Sequence, residues 1–182
     1  IKIVSKLKSD GLSDEEIIEK VYNENLFQFP TSGMIKNITN VCLKRLNALD
    51  NDNLIRLIAE GSLDTAKFTN LYAIMKENIL VYDFFTNVIG EKYRSMDYSF
   101  GDGDLNVFFM DLGLENDVVA SWSDSTINKM KQVLRKFLLE CGYIDSTKSE
   151  TLNPILIDFE LEEAIRETGD FRALSAFNVF NL

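Results

Sequence analysis

The residues of this 182-residue chain with the type and spacing to do chemistry are cations and amides rather than nucleophiles. With about 100° of turn per residue, a helix opening at Thr31 gathers Lys36, Asn37, Asn40, Lys44 and Asn47 on one arc, with no acid among them. A helix opening at Ser123 repeats the arrangement with Asn128, Lys129, Gln132, Arg135 and Lys136, and Lys131 flanks them. Lysine and arginine contact phosphates, and asparagine reaches phosphate or the adenine edge, so either face could lie against a duplex. The contact residues expected are Lys36, Asn40 and Lys44 on the first helix and Lys129, Arg135 and Lys136 on the second. An ordinary solvated face has the same composition, and that reading stays open beside the first. Arg45 projects toward the apolar arc, where it pairs with a carboxylate or snorkels.

Other chemistries find less support. The chain has no histidine, which removes the usual general base, proton shuttle and transition-metal ligand. Ser5-Lys6-Leu7-Lys8 fits the S-x-x-K spacing of a serine nucleophile, but nothing accompanies it. Asp102, Asp104 and Asn106 match the first ligand positions of a calcium loop, yet Val107 stands where the loop needs glycine and Gly113 where it needs glutamate. Helix capping by Asp102 or Asp104 is the simpler reading. Tyr72, Tyr82, Phe84, Phe85 and Tyr93 could form a base-stacking platform, but aromatics at helical spacing with aliphatic residues between them read as core. Cys42 and Cys141 sit at apolar helical positions and read as buried free thiols. No enzymatic activity, cofactor or metal is expected.

The balance of 19 basic against 29 acidic residues, net −10, argues at first sight against a nucleic-acid partner. The acids are segregated, however: Glu150, Asp158, Glu160, Glu162, Glu163, Glu167 and Asp170 fall in one stretch that holds only Arg166 as a cation. Such segregation keeps a basic surface usable elsewhere, or creates an acidic face that docks a basic partner protein. No apolar run approaches the ~20 residues of a membrane helix, and Lys2, Lys6 and Lys8 break any signal-peptide pattern. A cytoplasmic protein without membrane insertion is expected. The chain begins at Ile1 rather than methionine, as a trimmed N-terminus would.

The elements that position these faces are helical throughout. Ser13-Asp14-Glu15-Glu16 has the capping-box form and opens a helix to about Asn23. Pro30 precedes the helix Thr31 to Leu49, with Met34, Ile35, Ile38, Val41, Cys42, Leu46 and Leu49 on its apolar arc. A helix from Asn53 stops at Gly61, and Ser62 caps the next, which carries Leu63, Ala66, Leu71, Ile74 and Met75 inward. Further helices are expected at Ile79 to Tyr93, Ser123 to Cys141 and from Asp158 to Gly169, with an apolar tail, Phe171 to Leu182, docking on the core. Tyr143-Ile144 and Leu152 to Ile157 could pair as a short β-hairpin near 143–157. The fold class expected is therefore all-α: a helical bundle of two small subdomains, 1–60 and 61–182, with a helix and hairpin reminiscent of helix-turn-helix proteins.

The blocks Glu60-Gly61, Leu63 to Lys67, Asn70-Leu71-Tyr72-Ala73, Tyr82-Asp83-Phe84 and Glu91-Lys92-Tyr93 resemble the BrxA family of BREX phage-defence systems. The resemblance extends more weakly to Trp122-Ser123, the helix Thr126 to Cys141 and Asn153-Pro154-Ile155-Leu156 with Asp158 and Leu161. It implies a small helical, NusB-like protein that takes part in phage restriction, binds double-stranded DNA and works alongside other BREX proteins. Two alternatives remain: an adaptor that docks a partner through the acidic 150–170 region, and RNA binding by analogy with NusB.

Overall fold

Side chains that satisfy exposed helix N–H groups punctuate the chain. The computed structural model describes residues 1–180. After α1 (Lys2–Ser9), the Ser13 hydroxyl accepts from the Glu16 N–H while the Glu16 carboxylate accepts from the Ser13 N–H at 2.8 Å, and α2 (Asp14–Glu24) follows. Thr31, Asn51 and Ser62 cap α3 (Ser32–Leu49), α4 (Asp52–Glu60) and α5 (Leu63–Glu77), each side chain accepting from the N–H three residues on. Next comes one continuous helical stretch: α6 (Ile79–Asp83), a π-helical turn at Phe84–Ile89 and α7 (Gly90–Arg94). Then follow α8 (Asp102–Glu115), α9 (Asp117–Ala120), α10 (Asp124–Glu140), α11 (Phe159–Glu167) and a 3-10 segment, Phe171–Phe177. The fold is all-α. Gly142 and Gly169, at φ +77° and +75°, leave α10 and α11 through the left-handed region that favours glycine.

By contacts the chain divides into two compact units, residues 1–79 with 157–170 and residues 80–156 with 171–182. The sequence pattern instead places a division after Glu60. The difference arises because α5 packs back on α3 and α4, and because α11 returns to α4 from across the chain.

In the first unit α1 lies along α4, with Val4, Ile17, Leu46, Leu54 and Ile58 fully buried. The Ser5 hydroxyl, also buried, donates to the Ile55 carbonyl. Helix α5 is covered on nearly every side, and Thr69 within it returns its hydroxyl to the Thr65 carbonyl. The phenol of Tyr72 reaches Thr168 and Asp170 just beyond α11, and burial pushes its pKa up. Leu63 departs from expectation: it lies in the first turn of α5 and is 67% exposed. On α3 the buried arc runs through Ile35, Thr39, Cys42, Leu43 and Leu46, leaving Met34, Ile38 and Val41 outside it. Apolar residues wrap more than half of that helix, so periodicity alone does not centre the arc.

The second unit is built on aromatics. Phe84 meets Phe85, Phe100 and Phe108 edge-on at 5.3 to 6.3 Å, and Phe85 meets Tyr143 at 5.4 Å. The Tyr143 hydroxyl donates to the Ala176 carbonyl at 3.0 Å and the Tyr93 hydroxyl to the Asn153 carbonyl at 2.6 Å. Burial raises the pKa of both phenols. Tyr72, Phe84, Phe85 and Tyr93 are thus core and not a stacking surface. The 3-10 segment buries Ala173 to Phe177, the docking expected of the tail; Asn181 and Leu182 lie outside the described residues.

No hairpin forms at 143–157 among the described residues. Asn153 N–H does reach the Tyr143 carbonyl, but the second arm pairs with another segment: Leu152 N–H donates to Tyr98 O, Phe100 N–H to Glu150 O, and Ser99 bridges Thr151. Residues 98–100 are drawn there by burial of Phe100 against Phe84. Asp104 accepts from the Gly101 N–H at 2.7 Å, a capping role, in place of any calcium loop.

Two measurements check this architecture. A Cβ at Gly90 would lie 2.5 Å from Ser175 Oγ and 2.9 Å from its Cβ. Gly90→Ala therefore costs about 1–3 kcal/mol by overpacking, and Ser175→Gly recovers part of that loss in chemical denaturation of the double variant. Asp97 accepts from the Ser99 hydroxyl at 2.6 Å and the Ser99 N–H at 3.0 Å and pairs with Lys92 at 3.1 Å; these hold its carboxyl down, to about 2. A depressed folded pKa stabilises fully above the ordinary Asp value of ~3.9 and ceases to as pH falls through the folded value. Carboxyl NMR titration should find the Asp97 midpoint near 2, and Ser99→Ala should move it upward.

Candidate nucleic-acid interface

Helix α10 is amphipathic by sequence, and its N-terminus is set by the Ser123 hydroxyl, which accepts from the Thr126 N–H. Leu134 and Leu138 anchor it in the second unit, while Ile127, Met130, Val133 and Phe137 are half-buried beside them. This places Lys129, Gln132 and Lys136 on the exposed side. Lys129 has no ion pair among the described residues. Lys136 stands 3.6 Å from Glu140 one turn on, an exposed pair of well under ~1 kcal/mol that a phosphate readily displaces.

Arg135 behaves differently from its neighbours. Its guanidinium lies 2.7 Å from Asp102 at the start of α8, donates to the Thr147 carbonyl at 3.2 Å and covers the Phe100 ring at 5.2 Å. Only 14% of the side chain is exposed. It binds the loop 145–150, which bears the exposed Lys148, to α10. The loop is fixed further by Ser149 N–H donating to Ser146 O and by the Asn153 amide donating to Asp145 and the Gly142 carbonyl. Lys131 donates to Asn106 of α8 at 2.6 Å, which aims it along the edge of the strip. Lys148 carries no local signal in the sequence; its place depends on a contact twelve residues long between Arg135 and Thr147.

The other expected face, on α3, belongs to the first unit. Lys36 and Asn40 are exposed, and the Lys36 ammonium sits 5.0 Å from the centre of the Tyr22 ring on α2. Lys44 is paired with Glu77 at 2.9 Å, and Arg45 approaches the same carboxylate at 3.6 Å. Asn47 donates to Asp14, whose carboxyl is held below the usual range by Lys8 and by that bond. This face thus borders carboxylates from α2 and α5, Asp14 and Glu77.

No group of three or more metal-binding side chains occurs among the described residues. No helix among them is long and apolar enough to cross a membrane. Neither cysteine is in a disulfide; Cys42 is buried and Cys141 half-buried.

The family model described as BrxA matches residues 1–169. A BREX protein BrxA of Bacillus cereus (strain H3081.97) is 37% identical over 171 residues, covering 93% of this chain and 85% of the relative. A second, from Escherichia coli O9:H4 (strain HS), is 26% identical over 168 residues, covering 92% and 78%. The crystal structure of an uncharacterized protein from Magnetospirillum magneticum superposes with a TM-score of 0.78 at 21% identity, over 97% of this chain and 90% of that one, which shows the shared fold.

If Arg135 holds the 145–150 loop, Arg135→Ala should speed hydrogen exchange there by about tenfold, ~1.4 kcal/mol of local opening, with little change in the aromatic core. Asp102→Asn should give a smaller rise, because its carboxylate is largely exposed.

Proposed function

Since the chain belongs to the BrxA family, we propose that it serves a BREX-type bacteriophage restriction system as a non-enzymatic component that binds double-stranded DNA. The observation that carries this reading is the strip on α10, where Lys129 and Lys136 are exposed with no strong internal partner and Lys131 flanks them, beside the loop that bears the exposed Lys148. Cations left available on a protein of net charge −10 concentrate positive potential locally, and phosphate oxygens are the ligands they match.

In this reading Lys129, Lys136, Lys131 and Lys148 touch phosphates. Arg135 is a positioning residue that keeps the loop and helix in register. Lys36 and Asn40 form a secondary contact; Lys44 joins it only by leaving Glu77. Contacts of this kind fix orientation on the duplex and carry little sequence information. The absence of histidine from the sequence favours a binding role over catalysis. Other BREX proteins are the partners implied by the family, in the cytoplasm where restriction acts.

The adaptor alternative draws less support from the acidic 150–170 region. Within the first unit Asp158 is bonded to the Thr65 hydroxyl, Glu162 to Arg166, Glu167 to Asn53 and Asp170 to Tyr72, so only part of that charge faces outward unengaged.

Fluorescence anisotropy with a labelled 25-base-pair duplex and a single-stranded RNA of equal length tests the proposal. Duplex affinity should fall steeply with salt, and Lys129→Glu with Lys136→Glu should weaken binding at least tenfold and flatten the salt slope. Lys36→Glu should have a smaller effect. No duplex binding at low salt, or a preference for the RNA, overturns the reading.

A further inference from the structure

Helix α8 is apolar on two opposite sides. Leu105, Phe108 and Phe109 are buried in the second unit, yet Val107, Met110 and Leu114 form a second stripe at i, i+3 and i+7 that is 53%, 61% and 81% exposed. That stripe extends about 10 Å along the helix, roughly two turns. Beside it lies an open cleft of about 660 Å³ between α8 and the stretch that includes the π-helical turn; Val88, Val107, Phe108 and Leu112 line its apolar part. The π-helical turn, a departure from α-geometry often found at functional sites, sets Asn87 and Val88 in the opposite wall. Gly90, directly after that turn, packs closely on Ser175.

The charge around the cleft is lopsided. Five carboxylates, Asp83, Glu91, Asp104, Asp111 and Glu115, face two cations, and both cations are already engaged. Arg172 pairs with Asp83 and bonds Asn87 at 2.6 Å, and Lys92 pairs with Asp97 and Asp104. Asp111 and Glu115, one turn apart on α8, have no ion pair among the described residues and border the apolar stripe on its cleft side.

We infer that this cleft and stripe dock an amphipathic helix of a partner protein, one whose apolar face is edged with lysine or arginine. The apolar stripe supplies the seat for side chains at helical spacing, and the unpaired Asp111 and Glu115 supply the complement to its basic edge. A purely acidic or purely apolar segment would leave one half of this surface unmatched. The site is separable from the DNA reading by its acidic edge: Asp111 and Glu115 lie on the cleft side of the stripe, whereas Met110, one turn from Asn106, borders Asn128 and Lys131 of α10.

The test uses the full chain without DNA and a fluorescein-labelled helical peptide of leucine and lysine, with a leucine and glutamate counterpart and a scrambled leucine and lysine peptide as controls. The amphipathic basic peptide should bind saturably and protect residues 103–115 from hydrogen exchange. Asp111→Lys with Glu115→Lys should weaken it at least tenfold, Met110→Ser with Leu114→Ser at least threefold, and Glu160→Lys with Glu163→Lys on α11 less than twofold. All these positions are exposed, and thermal melts confirm that each variant is folded; should one not fold, the exchange footprint on the unaltered chain decides. Absence of binding, equal binding of the scrambled peptide, or equal loss from both charge reversals overturns the inference. So does concentration-dependent self-association that Asp111→Lys with Glu115→Lys removes, which would make a second copy the occupant.

Discussion

Two adjacent phenylalanines, both without solvent exposure, organise the second unit. Neighbours on a helix point in different directions, so burying Phe84 and Phe85 together requires cover on two sides of one helix. Phe100 and Phe108 supply the cover for Phe84, and Tyr143 supplies it for Phe85. Those partners come from the approach to α8, from α8 itself and from the exit of α10. The aromatic pair therefore dictates where both helices must lie. Truncating one ring would forfeit about 3–5 kcal/mol, a large share of the stability of a domain this size.

The position of α8 then determines two surfaces. Its first turn presents Asp102 to Arg135, and the next presents Asn106 to Lys131, so the cations of α10 inherit their directions from a helix that the core has already placed. Arg135 is the hinge of this arrangement. Its charge, which looks in sequence like one more phosphate contact, is neutralised by Asp102 and covered by Phe100, and its remaining donor orders the loop bearing Lys148. The same placement leaves Val107, Met110 and Leu114 largely exposed on α8. An acidic chain can keep a basic strip only if its carboxylates are held apart from it, and here several are fixed by hydroxyls, amides and lysines within their own units.

Much of the fold is legible in the sequence because capping is local chemistry. Ser13, Thr31, Ser62 and Ser123 each cap the helix that their spacing foretells, and the family resemblance foretells the all-α class that the structure has. What is not legible depends on contacts between distant residues. The rotation of α3 that exposes Met34, Ile38 and Val41 is decided by α2 and α5 packing against it. The hairpin expected at 143–157 loses to pairing with residues 98–100, which the Phe84–Phe100 contact brings within reach. Residues 157–170 join the first unit through α11 and α4, a closure that no local pattern announces. For the candidate site, the exposed side of α10 follows from periodicity, whereas the separate duty of Arg135 and the arrival of Lys148 do not.

The blocks that carry the likeness to BrxA lie mostly where packing is least forgiving. A Cβ on Gly61 would sit 2.5 Å from the Leu57 carbonyl oxygen, Tyr72 and Phe84 are fully buried, and Tyr93 closes its hydroxyl on the Asn153 carbonyl. Substitutions at such positions cost several kcal/mol, while exchange of an exposed lysine costs within about ±0.5 kcal/mol. Residues such as Lys129, Lys148, Met110 and Leu114 are thus nearly free of folding constraints. Kinship detected through the core speaks for the fold and for the system the protein belongs to. Its interfaces have to be read from which side chains the folded chain leaves without partners.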